Sequence, residues 1–251
     1  MITDLQSTQV QTRKATNSWL FWTIMILSLV FFNAPLLAAV LQPINTFATM
    51  VHEMSHALVC LLTGGAVSGM TIVSDGNGHG GLTFCHGGNP LLYTPAGYLG
   101  TAVFGSLLVY VSQFPRVAKP ILLLMGIAVA LASVVLVGAN VLNTGFQGVF
   151  SFFWAIVIGA FLIWVGVKWR PASANILLLF LAVQTALNSL TSLVQLLQVS
   201  LGLIPFASFS DASSMAELTG VPQQIWSLGW SVISVVMLFF AFRASYGRKH
   251  G

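Results

Sequence analysis

Long apolar runs, separated by short polar or charged stretches, dominate this chain. Each run supplies the ~20 residues that an α-helix needs to cross the hydrocarbon of a bilayer. We therefore predict an all-α polytopic membrane protein with about seven transmembrane helices. The apolar runs cover residues 18–41, 44–63, 91–113, 118–139, 147–168, 174–199 and 223–242.

Residues 64–90 interrupt the helical pattern. Two short β-prone runs, 70–73 and 82–85, flank the turn sequence Ser74-Asp-Gly-Asn-Gly-His-Gly-Gly. Strand-like runs on either side of a glycine-rich turn are typical of a hairpin. A short β-hairpin is therefore expected directly after the second apolar run.

Composition agrees with a membrane protein. With 57% hydrophobic and 6% charged residues, the chain has too little polar surface to cover a water-soluble globule. The net charge of +4 comes from basic residues at the ends of the apolar runs, where they anchor spans in the bilayer. No nucleic-acid partner is expected. The basic residues are Arg13, Lys14, Arg116, Lys119, Lys168, Arg170, Arg243, Arg248 and Lys249.

The apolar pattern also divides the chain. Residues 1–16 form a polar N-terminal tail before the first run, which is typical of an uncleaved signal-anchor, with a cleavable signal peptide as the alternative. Residues 17–243 are expected to form a single transmembrane domain. Residues 244–251 form a basic C-terminal tail.

The second apolar run contains His52-Glu53-Met-Ser-His56. Histidines four residues apart lie on one helical face, where their nitrogens can take two corners of a zinc tetrahedron. Glu53 points about 100° away and is the candidate general base. An ionisable group inside a membrane helix costs roughly 2.5–3.5 kcal/mol, so such groups usually bind or react with something. The alternative is a pair of core histidines, which leaves Glu53 without a role.

A catalytic zinc site needs a third protein ligand, and several residues compete for that place. Asp211 could instead begin a short helix as a cap or first-turn acid, and Glu217 has a capping-box spacing from Ser214. Asp75, His79 and His86 belong to turn or loop sequence. Cys60 and Cys85 have no metal-ligand spacing, and they decide neither a disulfide nor a compartment.

The sixth apolar run carries a polar face. Gln184, Asn188, Thr191 and Gln195 follow spacings of four, three and four residues, so they share one side of a helix. That face is expected to point into the bundle. It either forms hydrogen bonds between helices or, through Gln184 and Asn188, supports the metal ligands from behind.

Several motifs resemble those of the site-2-protease-like peptidases of the M50B-like branch. They are His52-Glu-Met-Ser-His56-Ala-Leu, Gly64-Gly65, Pro95-Ala-Gly-Tyr-Leu-Gly100, Ser210-Asp-Ala and Leu218-Thr-Gly-Val-Pro222. The resemblance implies an intramembrane zinc metallopeptidase whose third ligand is a late aspartate, here Asp211. The Leu-Asp-Gly or Asn-Pro-Asp-Gly signature of the better-known site-2 proteases is absent.

The function expected from these features is zinc-dependent hydrolysis of membrane protein substrates by an integral, multi-pass protein of a bacterial-type plasma membrane. An open hairpin edge could hold the substrate extended by strand addition. The residues expected to bind it are Met70, Thr71, Ile72 and Val73. Two other functions stay open: an inactive relative that binds membrane partners, and a metal or solute carrier that uses the histidines.

The orientation in the membrane also stays open. Seven basic residues on one side against two on the other favour an external N-terminus. The family resemblance implies instead that the hairpin lies on the cytosolic side.

Overall fold

The computed structural model describes residues 19–28, 42–72, 80–141, 145–203 and 210–247. A 3-10 turn, Pro115–Val117, precedes the helix Ala118–Ala132, and a π-helical turn, Ser133–Val137, and a short turn, Gly138–Asn140, follow it. The elements are α1 Trp19–Ser28, α2 Gln42–Leu62, β1 Ala66–Thr71, β2 Leu82–His86, α3 Pro90–Val111, α4 Ala118–Ala132, α5 Gly145–Lys168, α6 Pro171–Ser200, α7 Asp211–Thr219 and α8 Gln223–Tyr246.

Five helices of the described residues are long and apolar enough to cross a membrane: Pro90–Val111, Pro115–Val137, Gly148–Lys168, Pro171–Ser200 and Gln223–Tyr246. The prediction of seven spans is therefore not confirmed. The first apolar run is described only over α1, which is short. The second run coincides with α2, which has the length of a span but carries more polar residues.

Helix α3 lies at the centre of the bundle and packs against α2, α6, α7 and α8. Gly97, Thr101 and Gly105 form a small-residue face on this helix that allows close approach. A Cβ on Gly105 would lie 3.2 Å from the backbone nitrogen of Ala186 in α6. Helices α4 and α5 pack together in the same way, because a Cβ on Gly126 would lie 2.7 Å from the nitrogen of Ile163.

The hairpin is present, and its first strand differs from the prediction. Strand β1 begins at Ala66, four residues before the expected run, and pairs antiparallel with β2 in a register that sets Met70 opposite Thr83. The pattern of β-prone residues underestimated β1, because Gly69 weakens the strand pattern although it sits beside an irregularity of the ladder.

A disulfide between Cys60 and Cys85 joins the C-terminal turn of α2 to β2. Thr83 adds a second link, because its hydroxyl lies 3.0 Å from the backbone carbonyl oxygen of Glu53. The hairpin is therefore attached through β2 to the helix that carries the histidine motif.

Candidate metal centre

Helix α2 presents His52 and His56 on one face, as their spacing predicts. Their Nε2 atoms lie 3.0 Å apart, and the two rings meet edge to face. Two ring nitrogens this close need either a hydrogen donated from one to the other or a cation between them, because two bare lone pairs would repel each other.

Helix α7 brings Asp211 to the same point. Its Oδ2 atom lies 3.4 Å from Nε2 of His52 and 3.3 Å from Nε2 of His56. Asp211 is the first residue of α7, and Ser210 caps the helix by accepting a hydrogen bond from the backbone nitrogen of Ser213. The cap orients the start of α7, so that the carboxylate is directed at the two imidazoles.

Packing holds α7 in this position. Ala212 and Met215 are buried in a small cluster with Leu193 and Leu196 of α6 and Trp230 of α8. The indole nitrogen of Trp226 donates to the Thr219 hydroxyl at the other end of α7. The aspartate therefore belongs to a packed helix rather than to a free loop.

Hydrogen bonding selects the form of His56. Its Nδ1 lies 2.7 Å from the backbone oxygen of Tyr93 in α3. A carbonyl oxygen only accepts, so Nδ1 carries the hydrogen and the lone pair of the neutral ring is on Nε2. This arrangement is typical of metal-binding histidines, whose other nitrogen is fixed by an outer partner. The ring of His52 packs edge to face on Tyr98, 4.7 Å between centroids.

The geometry of the three donors fits a tetrahedral metal ion. For metal–ligand distances of about 2.0–2.1 Å, corners of a tetrahedron lie about 3.3–3.4 Å apart. The observed separations are 3.0, 3.3 and 3.4 Å. Oδ2 of Asp211 is buried, and no hydrogen bond from the described residues satisfies it. Two imidazoles and one carboxylate with a fourth corner left for water are the donor set of a catalytic zinc site.

Asp211 is also electrostatically matched to its neighbours. Burial raises the pKa of this carboxyl, but the adjacent imidazoles of His56 and His52, when they carry the positive charge, lower it by more, so that the pKa of Asp211 falls well below its ordinary range. The anionic form, which is the form that binds a metal, is therefore the favoured one.

Glu53 is buried beside the cluster and is not one of its members. The Thr83 hydroxyl of β2 donates to Oε2 of Glu53 at 2.7 Å. Oε1 is next to Gly81, where a Cβ would lie only 2.8 Å away. One oxygen of the glutamate is thus held by the hairpin, and the space near the other is kept open by a glycine.

A pocket of about 610 Å³ opens onto these residues. The hairpin wall contributes Gly81 and Thr83, and α6 contributes Asn188 and Gln195. Gln184, expected behind the ligands, is almost fully buried and does not line the pocket. The lining residues of α7 include Ser210, Asp211, Ser214, Glu217 and Leu218.

The expected substrate residues lie elsewhere in the hairpin. Met70 and Ile72 are buried, and the backbone nitrogen of Ile72 donates to Ser151 of α5. Neither these two residues nor Thr71 line the pocket, and Val73 lies outside the described residues. The pocket side of the hairpin is β2, because β1 packs against the turns Ser133–Val137 and Gly138–Asn140 and against α5.

None of the other candidate ligands among the described residues joins His52, His56 and Asp211. Glu217 lines the pocket away from the cluster, and its capping box with Ser214 is not formed, because Ser210 and Ser213 make the box of α7. His86 bonds to Ser68, and Cys60 and Cys85 are consumed by their disulfide. Asp75 and His79 lie outside the described residues. Of the described residues, His52, His56 and Asp211 form the group that could hold a metal ion.

Sequence reasoning missed three residues of the site. Thr83 was visible only as a strand residue, and Gly81 only as part of a turn. Gly97 was visible only as part of the Pro95–Gly100 motif, yet a Cβ there would collide with Nε2 of both histidines. The local sequence could not indicate this contact, because Gly97 lies 41 and 45 residues after the two histidines.

The fold and the site define a helical membrane protein with a buried His-His-Asp group and a glutamate beside it. The profile of the family described as Peptidase M50B-like matches residues 21–241, nearly the whole chain. The chain therefore belongs to the Peptidase M50B-like family, and the resemblance seen in its motifs is confirmed. Searches of curated proteins and of solved structures gave no significant match.

Proposed function

We propose that this chain is an intramembrane zinc-dependent endopeptidase that hydrolyses peptide bonds of membrane-embedded proteins. The observation that carries the proposal is the convergence of His52, His56 and Asp211 at tetrahedral spacing, with the Glu53 carboxylate beside them in one pocket. Membership of a metallopeptidase family supports the same chemistry.

The residues of the chain would divide the work. His52, His56 and Asp211 would hold the ion, and zinc, when bound, supplies Lewis acidity and lowers the pKa of a coordinated water toward ~7. Glu53 would accept a proton from the attacking water and pass it to the leaving amine. Thr83 would orient Glu53 through the 2.7 Å hydrogen bond to Oε2, leaving Oε1 for the proton.

The substrate would bind as an extended strand along β2. Among the described residues, β2 pairs only with β1, so its other edge is open, and Gly81, Leu82, Thr83 and Cys85 line the pocket. A substrate helix keeps its carbonyls bonded, and it must unwind before a peptide bond can react. Backbone pairing with β2 would stabilise the unwound form. This assigns the substrate contact to β2 instead of residues 70–73.

The test is cleavage of a membrane protein by purified enzyme in detergent or lipid, before chelation, after chelation and after zinc is restored. We expect activity to be lost on chelation and to return with about one equivalent of zinc. No cleavage in any state, with zinc bound, would favour the inactive relative. Zinc transport across vesicles without cleavage would favour the carrier.

We also propose a cellular location for the protein. The five apolar helices support an integral membrane protein, and we propose a bacterial-type plasma membrane as its site. Cell fractionation after expression in the source organism would test this directly, with recovery in the plasma membrane as the expected result.

A further inference from the structure

Every lysine and arginine among the described residues lies at one end of the bundle. Lys119, at the start of α4, donates to the backbone oxygen of Val167 near the end of α5. The end of α8 lies at the same end of the bundle. The Ser245 hydroxyl of α8 is 3.5 Å from the carbonyl oxygen of Val109, near the end of α3. We call this the basic end. Its charged residues are Arg116, Lys119, Lys168, Arg170 and Arg243.

The opposite end carries the hairpin, the C-terminal part of α6 and helix α7, and we call it the hairpin end. No lysine or arginine occurs in residues 15–115, 120–167 or 171–242, so none of the three connections at this end, 63–89, 141–144 and 201–222, contains one. Basic residues in short loops remain on the cytoplasmic side of a membrane. This asymmetry assigns the basic end to the cytoplasm.

The disulfide gives an independent indication of the same orientation. Cys60 and Cys85 are joined at the hairpin end. Disulfides form and persist in oxidising compartments, whereas the cytosol keeps thiols reduced. A cytoplasmic hairpin end would therefore leave this bond unmade, while an extracytoplasmic one allows it to form.

We infer that the hairpin end faces an oxidising, extracytoplasmic compartment. The pocket is lined by β2, α6 and α7, which are elements of this end. If the proposed function holds, on which this step rests, the substrate is a membrane-anchored protein whose extracytoplasmic end enters along β2. The orientation is opposite to the cytosolic hairpin that the family resemblance implies.

Cysteine labelling in intact bacterial cells expressing the full chain tests the orientation. Leu218→Cys and Val117→Cys form a matched pair, because both positions are exposed, at 49% and 37%, on the hairpin end and the basic end respectively. A membrane-impermeant maleimide should label Leu218→Cys in intact cells and Val117→Cys only after lysis. The wild-type protein should label only after reduction, because its two cysteines are paired.

Labelling of Val117→Cys but not Leu218→Cys in intact cells would overturn the orientation. Labelling of the wild-type protein without reductant would overturn the oxidising compartment. Neither result would contradict the proposed peptidase activity, because cysteine labelling measures only the orientation in the membrane. Hydrolysis is measured separately, by chelating and restoring zinc. A reversed orientation with zinc-dependent cleavage would thus leave a peptidase whose substrate enters from the cytoplasm.

Discussion

At the residue scale, Gly97 determines whether the two histidines can approach each other. A Cβ at this position would collide with Nε2 of His52 and His56. Gly97→Ala should therefore lower zinc occupancy strongly and reduce cleavage by at least ~100-fold. Gly229→Ala is the matched control, because a Cβ on Gly229 in α8 meets nothing within 4 Å. It should keep zinc and gain up to ~1 kcal/mol of helix stability. Full zinc occupancy in Gly97→Ala would contradict this geometry.

The third ligand can be tested with two neutralised carboxylates of the same helix. Asp211→Asn should lose most of its zinc, because the carboxylate that lies 3.3–3.4 Å from both imidazoles is removed as an anion. Glu217→Gln should keep zinc, since Glu217 lines the pocket outside the cluster. Metal analysis of both purified variants decides the assignment, and zinc loss in Glu217→Gln alone would reverse it.

Thr83 links the hairpin to the general base. Thr83→Val removes the hydroxyl that donates to Glu53 at 2.7 Å while keeping a β-branched shape. A hydrogen bond to a charged group contributes about 1.5–3 kcal/mol, so we expect kcat to fall ~10- to 100-fold with zinc retained. Thr83→Ser restores the donor and should recover most of the activity. Equal kcat in the valine and serine variants would remove Thr83 from the mechanism.

At the scale of elements, the disulfide attaches β2 to α2. Cys60 and Cys85 are 25 residues apart, and closing a loop of that length stabilises the fold by about 3.5 kcal/mol in the chain-entropy estimate. The Cys60→Ala/Cys85→Ala variant should unfold at a lower temperature than the oxidised wild type. Its Tm should not respond to reductant, whereas the wild-type Tm should fall. A reductant-insensitive wild type would show that the bond does not form.

The elements also show what the sequence could predict. Helix α7 begins at Asp211, as considered from the sequence, and ends before Gly220, because caps are determined by near neighbours. The local sequence could not indicate which of the two strands, β1 or β2, lines the pocket. Both runs are apolar and β-prone, and only the packing of Met70 and Ile72 against the bundle makes β1 the covered strand.

At the scale of the whole molecule, the apolar runs predicted where helices lie better than what each helix does. Five of the seven runs are confirmed as candidate spans, because hydropathy over ~20 residues measures transfer into lipid directly. The His-Glu-x-x-His spacing predicted two ligands and a base on one helix. The contacts of Gly97 and Thr83 with that helix depend on chain segments about 30 to 45 residues away, so no periodicity could indicate them.

The central claim is that Glu53 is the base of a zinc peptidase whose ligands are other residues. The most direct measurement is zinc content and substrate cleavage in the same preparations of wild type and Glu53→Gln. The isosteric amide leaves His52, His56 and Asp211 in place, so zinc content should be unchanged. Cleavage should fall by ~10²–10⁴-fold for want of the base. Cleavage at the wild-type rate, or loss of zinc from Glu53→Gln, would contradict the account.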